Sequence, residues 1–476
     1  MKTPTTVLRA KHIFESDALL WLLLFTVDIS LRLFRLSYPP FWIDEIGVWQ
    51  AAQQSTWQQA LQIAKGHIMG MPLHYLQTWI AGQLGLQNEW LRLPDVIWGC
   101  LCIGVGYGVA RYYIEKPAAV FAATLMTTSP LLIRYSQELR FYAGLYFFHL
   151  LLIFTSLRAF EKASWMHWLI VILSGIAGIL FHPYTLLGIV FVFGYLLSKS
   201  EWISWQNLRR LLMVAVVLLG FFGWAIVQFG SVPAYQTPLF AFERPADFLL
   251  RGLGLAPIHS PMGMTPVYYV VLGLAFFGGL VMAIQNRNRQ ILLSLILAGG
   301  IIALILGMNA YRHYFVHSRQ IYFLSFWVYL TAAYGLVHFT KGLLSRNYHP
   351  PAKMAVQKWL VSWMILIGLI TMPALSQYFN AERTIVRSGS TALLEYWQPG
   401  DWICVIPDFD VIVFKTYWKN EVGQWLLPCD EREAVQNPQV QFVIADENLN
   451  FSPRFREIYR PPADTFYPKV IWTRSD

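Results

Sequence analysis

The sequence predicts an α-helical polytopic membrane protein with a small C-terminal α/β domain, and three observations predict it. Of its 476 residues, 56% are hydrophobic and 13% charged, against ~25% charged in an ordinary soluble domain. Apolar runs of about 18 residues or more recur, long enough to cross roughly 30 Å of hydrocarbon as helices. Beyond residue 378 the long apolar runs give way to short alternating ones separated by Pro, Asn and Asp, the pattern of strands and turns.

The chain begins with Lys2, Arg9 and Lys11 ahead of an apolar run from Ala18. No small-residue cleavage site follows, and Arg32 and Arg35 stand at its far end, so it reads as a retained span and not as a signal peptide. Spans are expected near 17–36, 93–113, 117–133, 141–160, 165–182, 184–199, 211–230, 266–285, 291–309, 320–340 and 359–378. About 11 transmembrane helices put the two ends of the chain on opposite sides. Short cation-rich loops near 110–117, 157–164, 198–210, 285–290 and 341–358 carry Lys199, Arg209, Arg210, Arg287, Arg289, Lys341, Arg346, Lys353 and Lys358. Positive charge stays inside, which assigns these loops and the N-terminus to the cytoplasm. The outer side receives 37–92, 134–140, the turn at His182–Pro183, 231–265, 310–319 and the tail. The net charge of +9 is dispersed among loops, and no basic run marks a nucleic-acid partner.

The long first outer loop contains VWQAAQQSTWQQALQIA, with apolar residues at helical spacing. Amphipathic helices on the outer leaflet follow, with Trp49, Trp57, Trp79 and Trp90 at headgroup level. The tail segments DWICVIPDFDVIVF and VQFVIADENL read as strands. The expected division is residues 1–378 in the membrane and 379–476 as the outer domain. Cys404 and Cys429 either pair there, if the compartment is oxidising, or stay free. Cys100 and Cys102 read as packing.

Polar residues that break the apolar pattern collect on the outer side. In PPFWIDEIGVWQ (39–50), Asp44 and Glu45 stand together at a membrane surface, where charge is costly. One reading makes them helix N-caps. The other makes a carboxylate a general base, or a holder of an acceptor hydroxyl or a metal ion. RYSQELRFYA (134–143) places Glu138 and Arg140 beside Tyr135 and Tyr142, either as a solvated turn with an internal ion pair or as a second acidic site. The loop before the tenth span holds Arg312, His313, His317 and Arg319. These cations run against the charge bias and suit phosphate oxygens, unless they merely snorkel. His313 and His317 lack a third ligand for zinc. His74 and His182 are single histidines near prolines, structural or substrate-facing. Glu243 and Arg244, then Lys65 and His67, are weaker candidates.

These segments resemble the GT-C glycosyltransferases, in the group that includes protein O-mannosyltransferases and the aminoarabinose transferases of lipid A (bacterial family 39-like). Asp44 and Glu45 are similar to its first acidic motif. PLHYLQTWIAGQLGLQNEWLRLPDVIWG (72–99), SPLLIRYSQELRFYA (129–143), HPY (182–184), SRQIYFL (318–324) and PGDWICVIPDFD (399–410) resemble its later landmarks. The resemblance implies a GT-C fold and a polyprenyl-phosphate sugar donor, with a lipid, protein or glycan acceptor outside the cytoplasm. It implies Asp44 as catalytic base, Glu138 as a second acid and Arg319 on the donor phosphate. Glu45 joins the acidic pair, while Arg140, Tyr142, His74, His182 and Arg312 join the substrate side. Met71, Pro72, Leu73 and His74 depart from the family pattern, where a second proline and a tyrosine are common.

The sequence reading is therefore an inverting membrane glycosyltransferase at the outer face of a bacterial inner membrane or its equivalent. It has no assigned cofactor, although a divalent metal is compatible with the acids. The alternative is a transporter or flippase of lipid-linked sugars. Such proteins place their sites at mid-membrane, whereas here Asp28 is the one acid clearly inside an expected span.

Overall fold

The computed structural model describes residues 18–67, 70–162, 164–199, 204–230, 243–257, 267–313, 316–347, 353–380, 386, 388–406, 411–418, 421–446, 454–460 and 469–475. The N-terminal cations, the greater part of the expected 231–265 loop and residues 407–410 lie outside them.

Helix α1 (Ala18–Leu33) leads to a loop of short helices: α2 (Ile43–Ala52), α3 (Trp57–Gly66) and α4 (Pro72–Gln83). Local chemistry sets their starts. Thr56 accepts from the Gln59 N–H while the Gln59 side chain returns to the Thr56 N–H, a capping box that begins α3. Pro72 occupies the first position of α4, where no N–H is required. The expected amphipathic helices are thus present, with Trp57 and Trp90 exposed. Trp79 instead turns inward and donates to the Gln54 carbonyl at 3.1 Å.

The membrane helices are α5 (Leu93–Tyr113), α6 (Lys116–Thr128), α7 (Pro130–Ser136), α8 (Tyr142–Lys162), α9 (Trp165–Phe181), α10 (Gly188–Ser198) and α11 (Trp205–Phe229). After α12 (Pro245–Gly252) come α13 (Val267–Gln285), α14 (Arg289–Arg312), α15 (Ser325–Asn347) and α16 (Lys353–Asn380). Among the described residues seven helices are long and apolar enough to cross a membrane, or eight if α6 and α7 form one span bent by 56°. Pro130 stands at that bend, and α7 carries the chain into the 137–141 turn. The other three expected spans are shorter helices: α1, α9, and α10 with the 3-10 turn Pro183–Leu187 before it. The count of eleven is accordingly not established, although each expected segment is helical.

Burial separates a central layer from a lipid-facing one. The apolar windows of α8 and α15 are 83% buried, whereas those of α11, α13, α14 and α16 are 22–28% buried. Helices α13 and α15 cross where Gly279 meets backbone: a Cβ there would lie 2.0 Å from the Thr331 carbonyl oxygen. A small residue is what lets two membrane helices approach that closely.

The tail holds α17 (Ser388–Leu394), α18 (Val411–Tyr417), α19 (Glu431–Gln436) and strands β1 (Trp402–Val405), β2 (Leu426–Pro428), β3 (Val440–Asp446), β4 (Phe455–Tyr459) and β5 (Lys469–Arg474). The sheet order is β2-β1-β3-β5-β4. Strand β1 runs parallel to β2 and β3, and β5 runs antiparallel to β3 and β4. Parallel neighbours need crossovers, which α18 and α19 supply. Cys404 and Cys429 form a disulfide. The tail shares one buried apolar cluster with the first loop, in which Ile46, Val48 and Tyr75 join Ile403, Val405, Phe414 and Trp418.

Candidate active site

The first turn of α2 carries both acids. The positive end of the helix dipole favours carboxylates there. Consecutive helical residues point about 100° apart, so the two acids leave the helix in different directions.

Glu45 points inward and is 0% exposed. Arg92 grips it with two parallel bonds, Nε to Oε1 and Nη2 to Oε2, each 2.7 Å. The Leu139 N–H donates to Oε1 at 2.7 Å and the Trp42 N–H to Oε2 at 3.3 Å. Arg92 also donates to the carbonyls of Leu36, Pro39 and Pro40 at 3.1, 2.7 and 3.2 Å. The pair ties the entry to α2 and the 137–141 turn to the start of α5. Grouping Glu45 with Asp44 as a catalytic acid does not fit this geometry: both oxygens are committed and no solvent reaches them.

Asp44 points outward with its side chain 29% exposed. Arg319 Nη1 donates to Oδ2 at 3.0 Å. Arg140 Nη2 lies 3.9 Å from the same oxygen, and its Nη1 donates to the Asp44 carbonyl at 3.2 Å. Three segments far apart in sequence meet here: α2, the turn before α8, and the 3-10 turn Ser318–Gln320 before α15. Burial is the largest influence on Arg140 and works against its charge, but Asp44 together with Tyr142 and Tyr75 outweighs it and holds the guanidinium further up than usual. Arg319 lies over the Trp42 ring at 5.4 Å.

The remaining sequence candidates divide. Glu138 is buried and pairs with Arg134 one helical turn back, Nε to Oε1 2.9 Å. The turn is therefore neither solvated nor internally closed through Arg140, which serves Asp44. Tyr142 is buried, with ring centroids 4.7 Å from Tyr135 and 5.7 Å from Tyr322, and its carbonyl accepts from the Tyr322 hydroxyl. The His182 ring stacks on Phe141 at 4.4 Å, and its Nδ1 accepts from the Tyr184 N–H at 3.2 Å. His74 is buried, 3.0 Å from the Gln77 amide and 3.7 Å from Asp95. Burial, with Arg140 nearby, lowers its pKa to about 3, so the ring is neutral. Arg312 is not brought to the site. It is exposed at the end of α14, its guanidinium 6.0 Å from the Tyr311 ring, and no described contact joins it to Asp44.

The sequence reading gave no role to Arg92 or Arg134, although both lie in the segments that carry the resemblance. It also missed the His67–Tyr75 pair, Nδ1 to Oη 2.7 Å, packed against α2. A Cβ on Gly47 would lie 2.6 Å from the His67 ring. Among the described residues no three His, Cys, Asp or Glu side chains gather as metal ligands.

The fold recurs in solved proteins. ArnT from Cupriavidus metallidurans in the apo state superposes with a TM-score of 0.56 at 14% identity, over 96% of this chain and 98% of that one. The fold is that of the GT-C glycosyltransferases. The archaeal oligosaccharyltransferase AglB from Archaeoglobus fulgidus, in complex with an inhibitory peptide and a dolichol-phosphate, gives 0.52 at 12% identity, over 90% of this chain and 69% of that one. ArnT bound to undecaprenyl phosphate gives 0.50 at 14% identity, over 96% and 98%. The family model of dolichyl-phosphate-mannose-protein mannosyltransferases matches residues 71–226, which is 156 of 476 residues. None of the curated proteins matches the chain. The matched segment, from α4 into α11, thus contains Arg92, Glu138, Arg140 and His182, while Asp44 and Arg319 flank it.

Proposed function

We propose that the chain is a membrane glycosyltransferase that moves a sugar from a polyprenyl-phosphate donor to an acceptor hydroxyl of a lipid, protein or glycan. The GT-C fold and the family match support glycosyl transfer. Neighbours of the same fold that hold undecaprenyl phosphate and dolichol-phosphate support the donor class. The single observation that carries the reading is Asp44, partly exposed, between Arg319 and Arg140.

In this reading Asp44 is the base, held by two cations until the donor phosphate arrives. Arg319, at 3.0 Å, holds the carboxylate by a charge-assisted hydrogen bond. A donor phosphate competes for the same planar fork of donors. As the guanidiniums turn to the phosphate, the Asp44 carboxylate is released to face the acceptor hydroxyl. The acceptor oxygen then bonds to the anomeric carbon, and the bond from that carbon to the phosphate oxygen breaks with its electron pair. Asp44 takes the hydroxyl proton, and the arginines stabilise the charge on the departing polyprenyl phosphate. Phosphate leaves readily, so no dedicated general acid is required. Glu138 holds Arg134 beside this site, and the aromatic wall of Phe141, Tyr142 and His182 borders it.

In this reading residues 1–378 form the catalytic membrane part and 379–476 an extracytoplasmic domain, with the N-terminus in the cytoplasm of a bacterial inner membrane. The Cys404–Cys429 disulfide supports an oxidising side for the tail. The test is radiolabel transfer from a panel of polyprenyl-phosphate sugars in membranes, wild type against Asp44→Asn. Transfer that wild type performs and the variant loses is expected. No transfer from any donor, or equal rates, would remove the reading.

A further inference from the structure

Among the described residues the mechanism leaves several buried acids unused, Glu243 among them. Glu243 stands just before α12, nearly all of its side chain buried. A buried carboxylate is costly unless both oxygens find donors, and here both find the same residue. The Ser318 N–H donates to Oε2 at 2.5 Å and the Ser318 hydroxyl to Oε1 at 2.9 Å. His317 Nδ1 lies 3.8 Å away and Arg251 3.9 Å away.

The next residue along the chain is Arg319, whose guanidinium reaches Asp44. Its own N–H is tied locally, donating to His317 Nδ1 at 3.3 Å. Helix α12 presses on the same turn: a Cβ on Gly252 would lie 2.7 Å from the Ser318 carbonyl oxygen. The peptide that carries Arg319 is therefore held from one side by a carboxylate fork and from the other by close backbone packing.

The geometry points to Glu243 as a positioning residue: it fastens Ser318 so that Arg319 stands where it meets Asp44 and, in turn, the donor phosphate. The last step rests on the donor role proposed above for Arg319; the fastening does not. A charged acceptor suits this task because it binds a backbone N–H more strongly than a neutral one does. A guanidinium displaced by about 1 Å loses much of its value to a reaction that depends on orientation.

The test has two arms on the full-length protein in nanodiscs. In the first, amide hydrogen exchange is followed across 316–321. Glu243→Ala should lose protection there, and Glu243→Gln, whose amide still offers one acceptor and one donor to Ser318, should keep most of it. Unchanged protection in Glu243→Ala overturns the proposal. The second arm measures transfer kinetics of the purified protein with a polyprenyl-phosphate sugar. Glu243→Ala should raise the donor KM about tenfold with acceptor KM unchanged. Glu243→Ala combined with Arg319→Ala should be no worse than Arg319→Ala alone, because coupled sites are not additive. Additive losses, or a normal donor KM beside a defective Arg319→Ala, overturn the positioning role. A normal donor KM in Arg319→Ala sinks the phosphate-holding reading itself, and the exchange arm then decides the fastening on its own.

Discussion

Asp44 and Glu45 are neighbours in sequence and share one helical turn, yet their surroundings differ in kind. The Glu45 site is closed: a fully buried carboxylate, a bidentate arginine and two backbone donors. The Asp44 site is open: an accessible carboxylate met by two arginines, one at 3.0 Å and one at 3.9 Å. The same charge pairing builds architecture in one place and leaves exchangeable partners in the other. What separates them is saturation. A group with every lone pair committed cannot accept a proton from a substrate without dismantling its surroundings. A partly exposed group with an oxygen left over is under no such constraint.

This contrast yields predictions of descending size. Asp44→Asn should lower kcat by about 100- to 10,000-fold, the range of a general base, with the thermal midpoint in detergent unchanged. A collapse of the midpoint would place Asp44 with Glu45 on the architectural side. Glu45→Ala should show the reverse balance. Stranding Arg92 in the interior costs about 3 to 5 kcal/mol, read as a lower midpoint and poor yield, whereas Glu45→Leu with Arg92→Met should recover part of it. If Glu45→Ala folds normally but is inactive, the distinction between the two acids fails.

Arg319→Ala should weaken the donor by about 10- to 100-fold, the value of one or two charge-assisted bonds, and spare acceptor KM. Equal donor affinity in a binding assay would leave Arg319 as a partner of Asp44 alone. The smallest effect concerns His74, which lies below the open site. Burial depresses its pKa from 6.5 to about 3, so the folded state holds fewer protons than the unfolded one in that interval. Its contribution is intact above about pH 6.5 and is lost as pH falls toward 3. The midpoint advantage of wild type over His74→Phe should shrink between pH 7 and pH 4. A constant difference would mean that the ring protonates in place.

Most of the membrane body was legible, because apolar length and helical period are properties of single segments. Each expected span is helical, and the alternating tail became a sheet, except that residues 411–414, read as strand, begin helix α18. The parallel pairing of β1 with β2 and β3 was not readable, since crossover topology depends on partners distant in sequence. At the site, Asp44 and Arg319 were legible because charge at a membrane surface is anomalous wherever it occurs. Their direct contact was not, across 275 positions. The burial of Glu138 and its pairing with Arg134 were also hidden. A short polar turn looks solvated until the bend at Pro130 folds it beneath the outer loops. Arg312 was misjudged for the same reason: composition says that a cation is present, not which way its helix ends.

The tail also bears on the timing of assembly. The Phe41 N–H donates to the Tyr417 hydroxyl, which donates in turn to Glu89 at 3.0 Å, so the segment just ahead of the acids leans on a residue made 376 positions later. At synthesis rates of about 5 to 20 residues per second, that partner arrives roughly 20 to 75 s after the loop itself. Throughout that interval the apolar face of α2 that packs on α18 waits uncovered. The acid-bearing loop is made well before it is finished. A chain halted before Tyr417 would expose the membrane helices complete and the loop that carries Asp44 unbraced.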